Sequence, residues 1–265
     1  MKFRGFVISM ILIIVILLCI APIINEGFDE VPLKYVNLVL YSENEEYNQM
    51  KEITQQYYKK FENVKTIYYK FDNNIVDKYR MEGNVLKIKG TESYLPGILE
   101  KSIKAMEYVA KNENEFDYLV RSNISTIVDF GLLDKELKKN PIEYGGGLIN
   151  ILQMIDKNGG IVDDTYFGLE YVSGTAIIFS KKILEQLVNK KNKLNYKIID
   201  DVAIGLFMRD EIKKPAQQVK EGSFVVVSDK MNDKISKKSY IFYRNRNDNR
   251  KTDVKNMRAI VDYLT

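Results

Sequence analysis

The hydrophobic pattern opens on a block with no polar rhythm at all. From Phe6 to Ile24 nearly every position is apolar. As a helix rising about 1.5 Å per residue, such a run spans most of a ~30 Å hydrocarbon core. Lys2 and Arg4 precede it, and Glu26, Asp29 and Glu30 follow. The positive-inside rule then puts the N-terminus in the cytosol and the body across the membrane. The run is longer than a signal-peptide h-region, and no Ala-x-Ala site follows it. An uncleaved signal anchor is therefore favoured over a cleaved signal peptide. The expected organisation is a cytosolic tail over 1–5, a transmembrane anchor over 6–24, a short stem over 25–34 and one body domain over 35–265.

In the body, short β-rich runs alternate with segments of helical spacing. Tyr35 to Tyr41 reads as a first strand. A helix follows, started by Ser42 or Glu45 and running through Met50, Ile53, Tyr57 and Phe61. Val64 to Phe71 is a second strand, and Val85 to Lys89, closed by Gly90, a third. Pro96 opens an amphipathic helix with Ile98, Leu99, Ile103, Met106, Val109 and Ala110 on one face. Residues 118–128 read as one strand, followed by a polar helix from Asp129 to about Lys139 and a loop from Glu143 to Gly147. Tyr166 to Phe179 carries Ser173-Gly174-Thr175 in its middle. Helices follow over Lys181–Leu187 and Val202–Met208, late strands over Ser223–Val227 and Tyr240–Tyr243, and a closing helix over Asp253–Leu264. This alternation predicts an α/β fold with a largely parallel sheet. The sequence has no internal repeat and no low-complexity tract.

Composition narrows the chemistry. With 265 residues, 45% hydrophobic and 29% charged, the chain can bury a full core. Lys and Arg number 40 against 36 acidic residues, a net charge of +4. That even mixture predicts solubility and gives no sign of nucleic-acid binding. The sequence has no histidine and no tryptophan, which excludes Ser–His and Cys–His catalysis and removes the commonest transition-metal ligand. Its single cysteine, Cys19, lies in the apolar leader, so no intrachain disulfide can form. Catalysis must rest on carboxylates, Lys, Tyr or bound ions.

In open α/β sheets ligands bind beyond the carboxyl ends of strands. The run Phe116-Asp117-Tyr118-Leu119-Val120 ends in the polar cluster Arg121, Ser122, Asn123, Ser125, a candidate site on that rule. Asn123-Ile124-Ser125 also matches the N-glycosylation pattern, although a strand end facing a pocket is a poor acceptor. Three blocks then carry a resemblance. The helix Ile98-Leu99-Glu100-Lys101-Ser102-Ile103-Lys104-Ala105-Met106-Glu107-Tyr108-Val109 leads into the 116–128 strand. Tyr171-Val172-Ser173-Gly174-Thr175-Ala176-Ile177-Ile178-Phe179-Ser180 and Asp200-Asp201-Val202-Ala203-Ile204-Gly205 follow in order. Together they resemble the β-1,3-galactosyltransferase and fringe-like inverting glycosyltransferases of the GT-A fold, over about Tyr35 to Leu187 and on to Met208.

The resemblance implies a membrane-anchored hexosyltransferase, single-pass and type II, with its catalytic domain in the Golgi or ER lumen or an equivalent compartment. It implies a nucleotide-sugar donor, UDP-linked, and transfer with inversion to a glycan or glycoprotein hydroxyl. Asp201 matches the family's catalytic base, and Asp200 would position the acceptor or tune its neighbour. The bland alternative is that this pair caps the helix beginning at Val202. Asn123-Ile124-Ser125 stands where the family has the D-x-D that holds Mn²⁺ or Mg²⁺. Asn123 and Ser125 offer neutral oxygens, and the histidine that completes the family's metal site is missing, so metal binding is expected to be weakened or gone. Arg121 and the group Arg244, Arg246 and Arg250 could meet the diphosphate instead, or could form a solvated basic face. Tyr144, Gly145 and the 173–175 segment would line the sugar pockets. Gly145-Gly146-Gly147 would be a flexible lip on the phosphate or a plain loop. The second reading, from the missing carboxylates and histidine, is a catalytically inactive relative that binds glycan or nucleotide or scaffolds a partner.

Overall fold

The computed structural model describes residues 31–228 and 239–265. The transmembrane segment expected over 6–24 lies outside them, with the tail and most of the stem. Among the described residues no helix is long and apolar enough to cross a membrane. Leu33–Thr265 is one compact unit.

In chain order the elements are β1 (Tyr35–Leu40), α1 (Glu45–Tyr58), β2 (Val64–Phe71), β3 (Tyr79–Glu82), β4 (Val85–Ile88), α2 (Gly97–Asn112), β5 (Tyr118–Asn123), β6 (Thr126–Val128), α3 (Phe130–Lys139), β7 (Tyr144–Gly146), β8 (Ile149–Ile151), β9 (Glu170–Val172) and β10 (Ala176–Ser180). Then come α4 (Lys181–Asn189), α5 (Asp200–Phe207), which runs on as a π-helical turn over Met208–Ile212, β11 (Gln217–Gln218), β12 (Phe224–Val227), β13 (Phe242–Asn245) and α6 (Arg250–Leu264). An eight-stranded sheet has the order β11-β7-β10-β5-β1-β2-β4-β3. At its centre β5, β1, β2 and β4 are parallel neighbours, in the register Tyr35↔Tyr118 and Tyr35↔Val64. β10 runs antiparallel to β5 and β7, and β3 antiparallel to β4. The fold is a mixed α/β sheet, parallel at its centre, with helices on both faces.

The alternation of side chains along each strand explains the two faces. Val36 and Leu38 of β1 join Leu99, Ile103 and Met106 of α2, Ile183 and Leu187 of α4, and Ile204 and Phe207 of α5. Tyr35 and Val39 join the other cluster, with Met50 and Tyr57 of α1, Leu133 of α3, and Met257 and Ile260 of α6. Each fully buried aliphatic side chain contributes about 1.5–3 kcal/mol. That burial on both faces is why β1 is apolar at every position but Asn37.

Four expectations need correction. The helix after β1 begins at Glu45 but is capped by Asn44, whose side chain accepts the Tyr47 N–H, not by Ser42, and it ends before Phe61. Phe61 nevertheless packs its ring 5.5 Å from Tyr57. The strand expected over Val85–Lys89 is β4, but its antiparallel partner β3 was not anticipated; their turn uses Gly83 at φ 60°. The segment 118–128 is two strands. Ile124 N–H closes on the Leu40 carbonyl, and the Ser125 carbonyl accepts from Asn245. The chain therefore leaves the large sheet there, and β6 pairs with β13 in a separate three-stranded sheet, β12-β13-β6. Finally, the segment read as a loop over 143–147 contains β7, buried between β10 and β11.

Candidate active site

Beyond the C-terminal ends of β1 and β5 lies a cleft of about 770 Å³. Its floor is Arg121, 1% exposed. Alternation along β5 turns Arg121 and Asn123 into the cleft and Ser122 away from it. Ser122 is fully buried and donates to Asn37 Oδ1 at 3.3 Å, so it does not face a ligand. Arg121 is not a free cation for phosphate either. Its Nη2 donates to Asp200 Oδ2 at 2.5 Å, Nη1 to the Gly174 carbonyl at 2.5 Å, and Nε to the Tyr69 hydroxyl at 3.3 Å. One buried guanidinium thus ties the sheet to the start of α5 and to the turn between β9 and β10. A buried pair of this kind is costly to break from one side, about 3–5 kcal/mol.

Asp200 and Asp201 form the acidic end. Neither caps the helix, because both lie in its first turn and Ile199 holds the cap position. Their environments differ. Asp200 is buried against Arg121. Asp201, half-buried, accepts the Gly174 N–H on Oδ2 and its neighbour's Val202 N–H on Oδ1, both at 2.9 Å. Burial and the adjacent Asp200 charge push its pKa up to about 6, while these N–H groups and Arg121 pull the other way. Gly174 allows this contact: a Cβ there would stand 3.2 Å from Asp201 Oδ2 and 3.4 Å from Arg121 Nη1. On either side Ser173 Oγ and Thr175 Oγ1 are 3.0 Å apart and line the cleft.

Arg244, Arg246 and Arg250 form the basic end. Arg244 lies on β13, and Arg250 is the first residue of α6. Arg250 pairs with the buried Asp253 at 2.6 Å, its guanidinium 5.9 Å from the Tyr47 ring centroid. Arg244 donates to the Ser125 hydroxyl, and among the described residues no carboxylate pairs with it. Burial and the nearby Arg250 lower its pKa to about 10, so it stays charged at neutral pH.

Tyr144 and Gly145 do not reach the cleft. Tyr144 is buried in β7, stacked on Phe179 at 5.7 Å, with its hydroxyl accepting the Val172 N–H. A Cβ on Gly145 would lie 2.0 Å from the Gln217 carbonyl oxygen, so this glycine serves strand approach and not a flexible lip. The residues missed are those of the opposite wall, among them Tyr41, Tyr47, Glu92, Tyr94 and Lys101. Tyr41 and Tyr47 follow β1, and the other three follow β4. The rule that ligands gather at strand C-termini could have found them.

Asn123 and Ser125, the two metal candidates, are a poor fit to a divalent metal. Among the described residues no group of three or more His, Cys, Asp or Glu is placed to hold one. Asn123 and Ser125 are neutral, and the Ser125 hydroxyl already accepts from a guanidinium. Neutral oxygens alone hold a hard cation weakly, and Arg244 beside Ser125 would repel it.

No protein-family model matches the sequence, and no curated protein matches it. Among solved structures, the chain is similar to the crystal structure of a glycosyltransferase involved in the glycosylation of the major capsid of PBCV-1. The two are 8% identical with a TM-score of 0.46, over 85% of this chain and 99% of that one.

Proposed function

We propose that the body is a glycosyltransferase domain of GT-A type. It would move a hexose from a UDP-linked nucleotide-sugar donor to a glycan or glycoprotein hydroxyl, with inversion. One observation carries the reading: a single cleft holds a carboxylate of raised proton affinity, Asp201, and a half-buried guanidinium, Arg244, with no carboxylate partner among the described residues. In the step proposed, Asp201 takes the acceptor hydroxyl's proton as that oxygen attacks the anomeric carbon. The bond from that carbon to the diphosphate oxygen breaks on the opposite face, and its electron pair leaves with the nucleoside diphosphate. Arg244, Arg246 and Arg250 stabilise the departing charge from fixed positions. Asp200 is committed to Arg121 and supports the geometry. Asn123 and Ser125 sit beside the phosphates as neutral donors. No step uses a metal.

The test uses the full-length chain in detergent. UDP should bind in the presence of EDTA, and a panel of UDP-hexoses should include one that is turned over. Asp201→Asn should lower turnover by about 10²-fold or more while UDP affinity holds within about twofold. Turnover that survives Asp201→Asn would overturn the assignment of the base. The neutral pair Asn123 and Ser125 favours a second reading, an inactive nucleotide- or glycan-binding relative. Binding without turnover across the panel would select it. The apolar run over 6–24 supports a single-pass type II placement with the body in the Golgi or ER lumen or an equivalent compartment. Release of the protein from membranes by alkaline carbonate alone would count against that placement.

A further inference from the structure

The connection from β4 to α2 forms a rim of the cleft, and its construction is unusual. Lys101 of α2 is 1% exposed. Its ammonium donates to both carboxylate oxygens of Glu92, at 2.7 and 2.6 Å, and to the Tyr41 carbonyl at 3.3 Å. Glu92 also accepts the Phe71 N–H at 3.1 Å. A buried lysine costs several kcal/mol of desolvation that a surface tether would not. Here it fixes the rim to the ends of both β1 and β2. At the C-terminal side the Tyr94 carbonyl accepts the Ile98 N–H at 3.3 Å, which joins the rim to α2. Between these two ties stands Tyr94, 48% exposed and facing the cleft. Burial pushes the pKa of its hydroxyl up, and Asp156, then Asp200 and Asp201, add to that push.

Tyr94 is therefore an aromatic face on a tethered support, in the same cleft as the carboxylate that would take the acceptor's proton. The apolar face of a pyranose fits such a surface, with its hydroxyls free to reach the polar groups around it. We infer that Tyr94 is the stacking platform for the acceptor sugar, held in place by the Lys101–Glu92 pair as a positioning element. The inference rests on the cleft being a sugar-transfer site.

The sequence has no tryptophan, so Tyr94→Trp in the full-length chain makes the rim its own reporter. Methyl glycosides of glucose, galactose, mannose and N-acetylglucosamine serve as probes, added with UDP present. At least one should change the Trp emission saturably, and more than UDP alone does. By calorimetry, which needs no Trp, wild type should bind that glycoside, Tyr94→Ala should weaken it about tenfold and leave UDP affinity within about twofold, and Tyr94→Phe should restore it. Glycoside affinity unchanged in Tyr94→Ala, or no glycoside bound by the wild type, overturns the inference. So does a loss in Tyr94→Ala that falls on UDP-glucose or UDP-galactose relative to UDP, which would make Tyr94 a donor contact. If UDP fails to bind while glycosides still move the Trp signal, the donor reading falls and the platform stands.

Discussion

Adjacent residues can carry opposite duties when their partners differ. Asp200 spends its charge on Arg121, and Asp201 is left with backbone donors and a like charge beside it. A carboxylate that must accept a proton works best with its pKa near the working pH. Turnover should therefore rise with pH through about 6 and level off above it, as Asp201 ionises. The stability consequence has the opposite sign. Because the fold raises this pKa, the folded state holds the proton more tightly than the unfolded chain does. Its stabilising contribution is full below the ordinary aspartate value and is lost as pH rises through about 6. Asp201→Asn should then be more stable than wild type by about 1 kcal/mol near pH 7.5, with the gain gone near pH 4. Urea midpoints at the two pH values decide this, and a variant less stable at pH 7.5 refutes it. Arg244 follows the same logic for a cation. Without a carboxylate partner it adds little to the fold, so Arg244→Met should keep its urea midpoint and lose at least about tenfold in UDP affinity. Unchanged UDP affinity would remove Arg244 from the phosphate site.

The element that sequence reading most misjudged is β7. Three consecutive glycines after Tyr144 look like a loop because Gly is permissive and poor in strands. Their reason is external to the segment. A Cβ on Gly146 would meet the Ala176 carbonyl oxygen and Val172 Cγ1, both at 2.4 Å. The neighbouring strands approach so closely that no side chain fits. Gly146→Ala should cost about 3 kcal/mol, read as a lowered urea midpoint, and a midpoint within error of wild type would contradict this packing. β2 and the apolar face of α2 were legible because their period is written within their own residues. The break after Asn123 was not, since it depends on Asn245, distant in sequence, binding the Ser125 carbonyl. The same division runs through the cleft. The acidic pair and the 173–175 turn stood out as motifs, whereas Tyr47, Tyr94 and the Lys101–Glu92 pair converge from separate connections with no shared pattern.

At the scale of the molecule, parallel strands at the centre of the sheet end together, and the connections leaving them build a cleft with an acidic end and a basic end. The net charge of +4 is small, so what attracts an anion is this local separation rather than the overall field. A diphosphate held by arginines and one held by a metal differ in what disturbs them. Screening weakens the first, since partly exposed charge pairs lose attraction as the Debye length shrinks. Chelation abolishes the second. UDP affinity measured by calorimetry on the full-length chain should thus fall on the order of tenfold between about 0.05 and 0.5 M salt. It should not change when EDTA replaces Mn²⁺ at fixed ionic strength. The Arg244→Met variant should have a visibly shallower salt dependence, because one of the screened cations is gone. A UDP affinity insensitive to salt but dependent on Mn²⁺ would mean that a metal bridges the diphosphate to donors other than Asn123 and Ser125. The arginine end of the cleft would then be a solvated basic face.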